Sequence, residues 1–241
     1  MSKKKVVSLN KKNVVSMSKK KGVSMKYIIF GVSCLALIVV FVFANSYYKG
    51  QQSKKYDFLA RENASIFVRD HSSTLGSAEA KVYLIEFMDP ACETCADFFP
   101  LVKQIMDANP GKIKLVIRYA PFHDGSDYFV KILEAAKKQG KYWEILEIMY
   151  KTQSSWAIHH TPQPEMIWQF ISQSGLDLEQ LKKDIDDPAI TKIIEQDLAD
   201  AKILNVQKTP GFFVNGKPLQ IFGYPELQEL IQSEIKAYYP N

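Results

Sequence analysis

Hydrophobic and polar positions along the chain follow several distinct rhythms. Residues 27–48 form an uncharged run whose core, residues 27–44, is interrupted only by Gly31 and Ser33. As a helix these 22 residues reach about 33 Å, enough for a hydrocarbon core of roughly 30 Å. The run is apolar around its whole circumference and follows an arm whose only charges are lysines. It predicts a transmembrane helix rather than the core helix of a folded domain.

Residues 51–63 are polar and predict a linker running into a short helix, and residues 65–69 predict a brief strand. Residues 80–88 are rich in β-branched and aromatic side chains and predict a buried strand, ended by Asp89-Pro90. From Cys92 to about Ala108 the spacing is helical, with Phe98, Leu101, Val102, Ile105 and Met106 on one side, a kink at Pro100 and a stop at Asn109-Pro110-Gly111. Residues 114–119 predict the next strand. Strand, helix and strand in about 40 residues form a βαβ unit with parallel strands and a right-handed crossover.

Residues 127 to about 154, 164–174, 178–184 and 189–205 are helical by apolar spacing, broken by Gly140, Pro162, Gly175 and Pro188. They predict a helical subdomain over about residues 124–205 with no strand in it. Residues 211–215 and 219–222 predict two strands about the turn signal Asn215-Gly216, and residues 225–238 a final helix with proline at its start.

The 241 residues are 46% hydrophobic and 24% charged, which excludes collagen-like, low-complexity and wholly disordered classes. The formal charge of +5 belongs to one end. Nine lysines and no acidic residue lie in residues 1–26, and Lys49, Lys54 and Lys55 follow. From Tyr56 onward 19 Lys and Arg stand against 26 Asp and Glu, a balance of −7. A nucleic-acid partner is not expected, because the positive charge is not gathered on the folded part.

The lysine bias across the span places the amino terminus on the cytoplasmic side and the folded part outside. The expected organisation is a basic cytoplasmic arm (1–26), a transmembrane signal-anchor (27–48), a linker (49–64) and one domain (65–241). The alternative is a signal peptide cleaved near Ala44, where Val42-Phe43-Ala44 offers small residues. The apolar run exceeds the usual signal core of about 7–15 residues, which favours the anchor. Both readings export the domain.

Cys34 lies in the apolar span, so the exported part holds just Cys92 and Cys95. Disulfides that act as staples close long loops, and a bridge across two residues staples almost nothing. The pair is therefore read as reactive. A zinc site lacks ligands, since there is no second CxxC and His71, His123, His159 and His160 do not have the spacing of a finger. Neither metal nor cofactor is expected. At the first turn of the helix Cys92 faces unpaired N–H groups that favour a thiolate, which makes it the attacking thiol and Cys95, a turn deeper, the resolving one.

Three features in order carry a resemblance. They are Ile85-Glu86-Phe87-Met88-Asp89-Pro90-Ala91-Cys92-Glu93-Thr94-Cys95, the helical insertion after the second core strand, and Thr209-Pro210-Gly211-Phe212-Phe213-Val214-Asn215-Gly216. Over about residues 65–239 the chain resembles the DsbA-like branch of exported thiol-disulfide oxidoreductases in the thioredoxin-like superfamily. That resemblance implies an α/β thioredoxin-like fold with an inserted helical subdomain, and a Cys92-Cys95 redox disulfide that introduces or reshuffles disulfides in exported proteins. It implies a cis Pro210 beside that disulfide, and a Thr209 whose backbone receives an extended substrate. It places Glu86 beneath the disulfide, where a buried carboxylate with a raised pKa would take the proton of Cys95 as general base. The implied partners are exported cysteine-containing proteins and a membrane redox partner, at a bacterial inner membrane.

The chain departs from the best-known oxidase in having Glu93 and Thr94 between the cysteines in place of a pair that includes proline and histidine. Unless it points away, Glu93 should raise the pKa of Cys92 and make the disulfide less oxidising, nearer an isomerase. A reductase of the same fold, a non-catalytic binding or chaperone module and a thiol-based metal carrier are the other readings. Asp89 is expected to be a turn residue, His123 a loop residue, and His159 and His160 surface residues.

Overall fold

The computed structural model describes residues 25–62, 64–158 and 161–240, which fall into two compact units, Met1–Gly50 and Gln51–Asn241. Most of the basic arm, and His159 and His160, lie outside the described residues. Helix α1 (Met25–Glu62) contains Ile29–Tyr48, with a mean hydropathy of 2.4, the one helix among the described residues long and apolar enough to cross a membrane. The segment expected to be a linker is itself helical through Glu62. After Gly50 it holds no glycine or proline and many good helix formers, so extending an existing helix is easier than ending it.

A short helix α2 (Ala64–Phe67) stands where residues 65–69 were expected to form a strand. Ile66 and Phe67 are both buried in one apolar cluster, a placement that the alternation of a strand forbids, and the Ile66 carbonyl accepts a hydrogen bond from Arg118 Nη1 at 2.6 Å. The strand comes later, as β1 (Ser73–Gly76), antiparallel to β3 (Ile113–Tyr119). Strand β2 (Val82–Met88) pairs parallel with β3, as the βαβ pattern requires, and antiparallel with β6 (Gly211–Val214). With β7 (Lys217–Pro218) the sheet order is β1-β3-β2-β6-β7.

Both faces of the central strands are covered, which is why residues 82–88 read as a nearly continuous apolar run. On one face Leu84, Met88, Leu115, Ile117 and Phe212 pack with α3 (Glu93–Asp107) and α9 (Tyr224–Tyr238); on the other Ile85, Phe87, Val116 and Phe213 meet Ile66, Phe67, Ala201 and Leu204. Helix α3 runs on through Pro100.

The expected second strand of the hairpin, residues 219–222, begins earlier. Asn215 and Gly216 both have positive φ, 48° and 82°, and this two-residue turn pairs Val214 directly with Lys217. Leu219 still donates to the Phe212 carbonyl at 2.9 Å, and the residues after it turn away and expose Ile221 and Phe222.

The insertion consists of α4 (Asp127–Lys138), α5 (Tyr142–Trp156), α6 (Pro164–Ile171), α7 (Leu178–Asp184) and α8 (Pro188–Ile203). Gly140, at φ 71°, separates the first two, and the side chains of Asp177 and Asp187 cap α7 and α8. It is not free of strands, because Ala157–Ile158 (β4) and Thr161–Pro162 (β5) form a minimal ladder.

The insertion is fastened to the sheet by buried charges. Arg118, fully buried on β3, donates to Asp197 Oδ1 at 2.7 and 2.9 Å and to Asp200 Oδ2 at 2.6 Å, while Arg69 grips Asp200 at 2.7 and 2.8 Å. Removing one partner of such a cluster leaves uncompensated buried charge. Arg118→Met is expected to lower unfolding free energy by about 3 kcal/mol or more, as measured by urea unfolding.

Candidate active site

The site grows from the end of β2. Asp89 is fully buried, and its Oδ1 accepts the Ala91 N–H at 2.8 Å. Its Oδ2 accepts the amides of Phe122 and His123 at 2.7 and 2.9 Å and meets His123 Nδ1 at 2.7 Å. The Asp89 carbonyl takes the Cys92 N–H at 3.0 Å. More than a turn residue, Asp89 ties the loop after β2 to the loop after β3. His123, expected to be a loop residue, is half of that tie.

Cys92 is the N-cap of α3, with extended backbone (φ −77°, ψ 117°), and its carbonyl accepts from the amides of Cys95 and Ala96 at 3.1 and 3.2 Å. Both thiols are free. Cys92 keeps 7% of its surface exposed and Cys95 none, the asymmetry expected of an attacking and a resolving sulfur.

The Cys92 sulfur accepts hydrogen bonds first from the Cys95 thiol, and also from the Thr209 side chain and the amides of Cys95 and Thr94, while as a thiol it donates to the Thr209 carbonyl at 3.3 Å. Donors outweigh burial, and the thiol is brought down to about 6. Glu93 was expected to push it up unless it pointed away; it is exposed, and the thiol lies below its ordinary value. Cys95 moves the opposite way, held well above the ordinary range mainly by burial, then by its hydrogen bond to Cys92 and by Glu86.

Glu86 projects between Leu84 and Met88 on the face toward α3, paired across the sheet with Ile117 and Phe212. It is 1% exposed, and among the described residues neither carboxylate oxygen has a hydrogen-bond partner. Burial, with a smaller push from Cys92, drives its pKa up to about 8.

The Thr209-Pro210 bond is cis, Pro210 is buried, and the Thr209 carbonyl lies against the Cys92 sulfur. The five residues singled out in the sequence thus occupy one neighbourhood. Beside it Phe222 packs on Phe98 of α3, ring centroids 4.9 Å apart, and Phe122, Ile221 and Phe222 are exposed.

One participant escapes a local reading. Gln153, buried near the end of α5, donates to the Pro90 carbonyl at 2.8 Å and to the Cys92 carbonyl at 3.1 Å. A signal for it exists, since Gln153 continues the stripe of Ile145, Leu146 and Met149 that faces the core.

Sheet order, helical insertion and paired thiols beside a cis-proline define a thioredoxin-like protein. The chain belongs to the family described as Thioredoxin, whose model matches residues 69–233. A solved thioredoxin-like oxidoreductase from Silicibacter pomeroyi DSS-3 is 28% identical with a TM-score of 0.62, over 74% of this chain and 98% of that one. Disulfide bond formation protein D of Bacillus subtilis is 27% identical over 177 residues, 68% of this chain and 77% of that protein. The Na(+)/H(+) antiporter NhaA of Herminiimonas arsenicoxydans is 29% identical over 145 residues, 60% of this chain and 22% of the antiporter. The chain thus spans about a fifth of the length of the antiporters it matches.

Proposed function

We propose that this chain is a thiol-disulfide oxidoreductase that introduces or reshuffles disulfides in exported proteins through Cys92 and Cys95. The observation that carries the reading is the placement of the two thiols, Cys92 at the N-cap of α3 with its sulfur 3.3 Å from the carbonyl before a cis proline and Cys95 fully buried, which lowers the first thiol and raises the second. The likeness to disulfide bond formation protein D, and to the oxidoreductase from Silicibacter pomeroyi, supports it.

In the oxidising direction a substrate thiolate attacks Cys92 Sγ, the Cys92–Cys95 bond breaks, and the departing Cys95 thiolate takes a proton from Glu86. A second substrate thiolate attacks the substrate sulfur of the mixed disulfide and releases the Cys92 thiolate. Two electrons have passed to the cysteine pair, and a membrane partner of disulfide-exchange or quinone-linked chemistry would remove them. Run backwards, Glu86 accepts the Cys95 proton as general base. Thr209 and Pro210 form the edge against which an extended substrate lies, with exposed Ile221 and Phe222 offering apolar contact.

The organisation that suits this work is a cytoplasmic basic arm (1–26), a span (27–48), a linker (49–64) and the redox domain (65–241) outside a bacterial inner membrane. The apolar helix Ile29–Tyr48 supports the anchor. A thiol near 6 lies between that of thioredoxin, about 7, and that of the strongest oxidant, about 3.5. The reduction potential is therefore expected between about −270 and −120 mV. Equilibration with glutathione, alongside acid-trapping of the pair in intact cells, tests this. A potential at or below that of thioredoxin, with thiols trapped reduced, would make the chain a reductase instead.

A further inference from the structure

Gln153 is a side chain through which the insertion bonds directly to the redox turn. Burying a primary amide is unfavourable unless its hydrogens are bonded, and both hydrogens here reach backbone carbonyls of the turn, those of Pro90 and Cys92. Because both partners are acceptors, the amide nitrogen must be the group facing them.

Asp89 grips the same turn through its N–H groups, those of Ala91 and Cys92. Gln153 supplies the opposite half by donating to the carbonyls. The turn is held from two sides, by the sheet through Asp89 and by α5 through Gln153. That clamp fixes Cys92 at the head of α3 with its sulfur 3.3 Å from the Thr209 carbonyl.

We propose that Gln153 is a positioning residue by which the helical insertion sets the reactivity of Cys92 and the poise of the Cys92-Cys95 couple. Gln153→Met preserves length and bulk but removes both donors. Gln153→Glu preserves the shape and turns acceptor oxygens toward two carbonyls. Trp156→Phe is the control for general loosening, because Trp156 stacks on Phe129 at 4.1 Å at the same end of α5 and its indole donates within the helix, to the Met149 carbonyl.

The experiment follows thiolate absorbance against pH in the reduced full chain, together with the equilibrium against glutathione. In Gln153→Met the thiolate midpoint is expected to rise by about one pH unit, and in Gln153→Glu by more. The equilibrium should shift about tenfold toward the disulfide, a change of about 30 mV. Trp156→Phe should lower the melting temperature and leave both redox readouts in place. Gln153 variants that melt early but titrate as the wild type does would overturn the proposal, as would a Trp156→Phe chain whose titration moves as far as theirs. Either Gln153 variant suffices if the other does not fold.

This inference rests on Cys92 being the exchanging thiol. A wild-type chain that exchanges no disulfides would overturn that reading, whereas normal exchange with unmoved Gln153 variants would overturn only this one.

Discussion

Cys95→Ser is expected to turn the chain into a trap, and Cys92→Ser to silence it. With Cys92 intact, a substrate disulfide is still attacked, but no buried thiol remains to displace the substrate from the mixed disulfide. An intramolecular thiol held one turn away acts at a very high effective concentration, so its loss should lengthen the life of the mixed disulfide by roughly a thousandfold or more. Adducts should therefore accumulate on non-reducing gels for Cys95→Ser and be absent for Cys92→Ser. A binding or chaperone module would keep its activity in both variants, and that result would sink the oxidoreductase reading.

The same thiol fixes the pH profile. Cys92 lies at about 6, so its alkylation by iodoacetamide should rise through pH 6 and be level by pH 8, whereas an ordinary cysteine is still ionising near 8.5. In the reduced protein this depressed thiol stabilises the fold above its unfolded value, and that contribution is lost as pH falls through 6.

How much of this is legible without coordinates depends on sequence range. The CxxC pair, the strand that carries Glu86 and the Thr209-Pro210 segment are each written in a few consecutive residues, and the structure brings all of them to one place. Strand β1 is illegible because Ser73-Thr74-Leu75-Gly76 has neither alternation nor β-branched bulk enough to declare itself, and it exists by pairing with β3. The true work of Asp89, Gln153 and Arg118 depends on partners 33, 61 and 79 residues away, which no local pattern discloses. Glu93 misleads for a related reason. Its formal charge is visible in the sequence, while the hydrogen bonds from Cys95, Thr94 and the Thr209 contact that govern the sulfur are not.

Glu86 makes the second large effect, and it runs in opposite directions for stability and activity. Buried without a hydrogen-bond partner among the described residues, Glu86 holds its proton up to about 8, while in the unfolded chain it ionises near 4.5. Between those values the folded state binds more protons than the unfolded one, so stability falls as pH rises, by about 1.4 kcal/mol per unit. Glu86→Gln never ionises and escapes that loss. In the oxidised protein, where thiols do not titrate, the variant should be more stable than the wild type by about 3 kcal/mol at pH 7 and nearly equal to it at pH 4.5. Exchange should fall by about a hundredfold, the usual scale of a positioned proton acceptor, because Cys95 then has no base beside it. Denaturant unfolding at the two pH values and stopped-flow exchange check the pair of effects. A glutamine variant that is no more stable at pH 7, or one that exchanges at the wild-type rate, would remove Glu86 from the chemistry. A carboxylate kept where it weakens the fold is otherwise hard to understand, since a leucine would fill the same space between Leu84 and Met88.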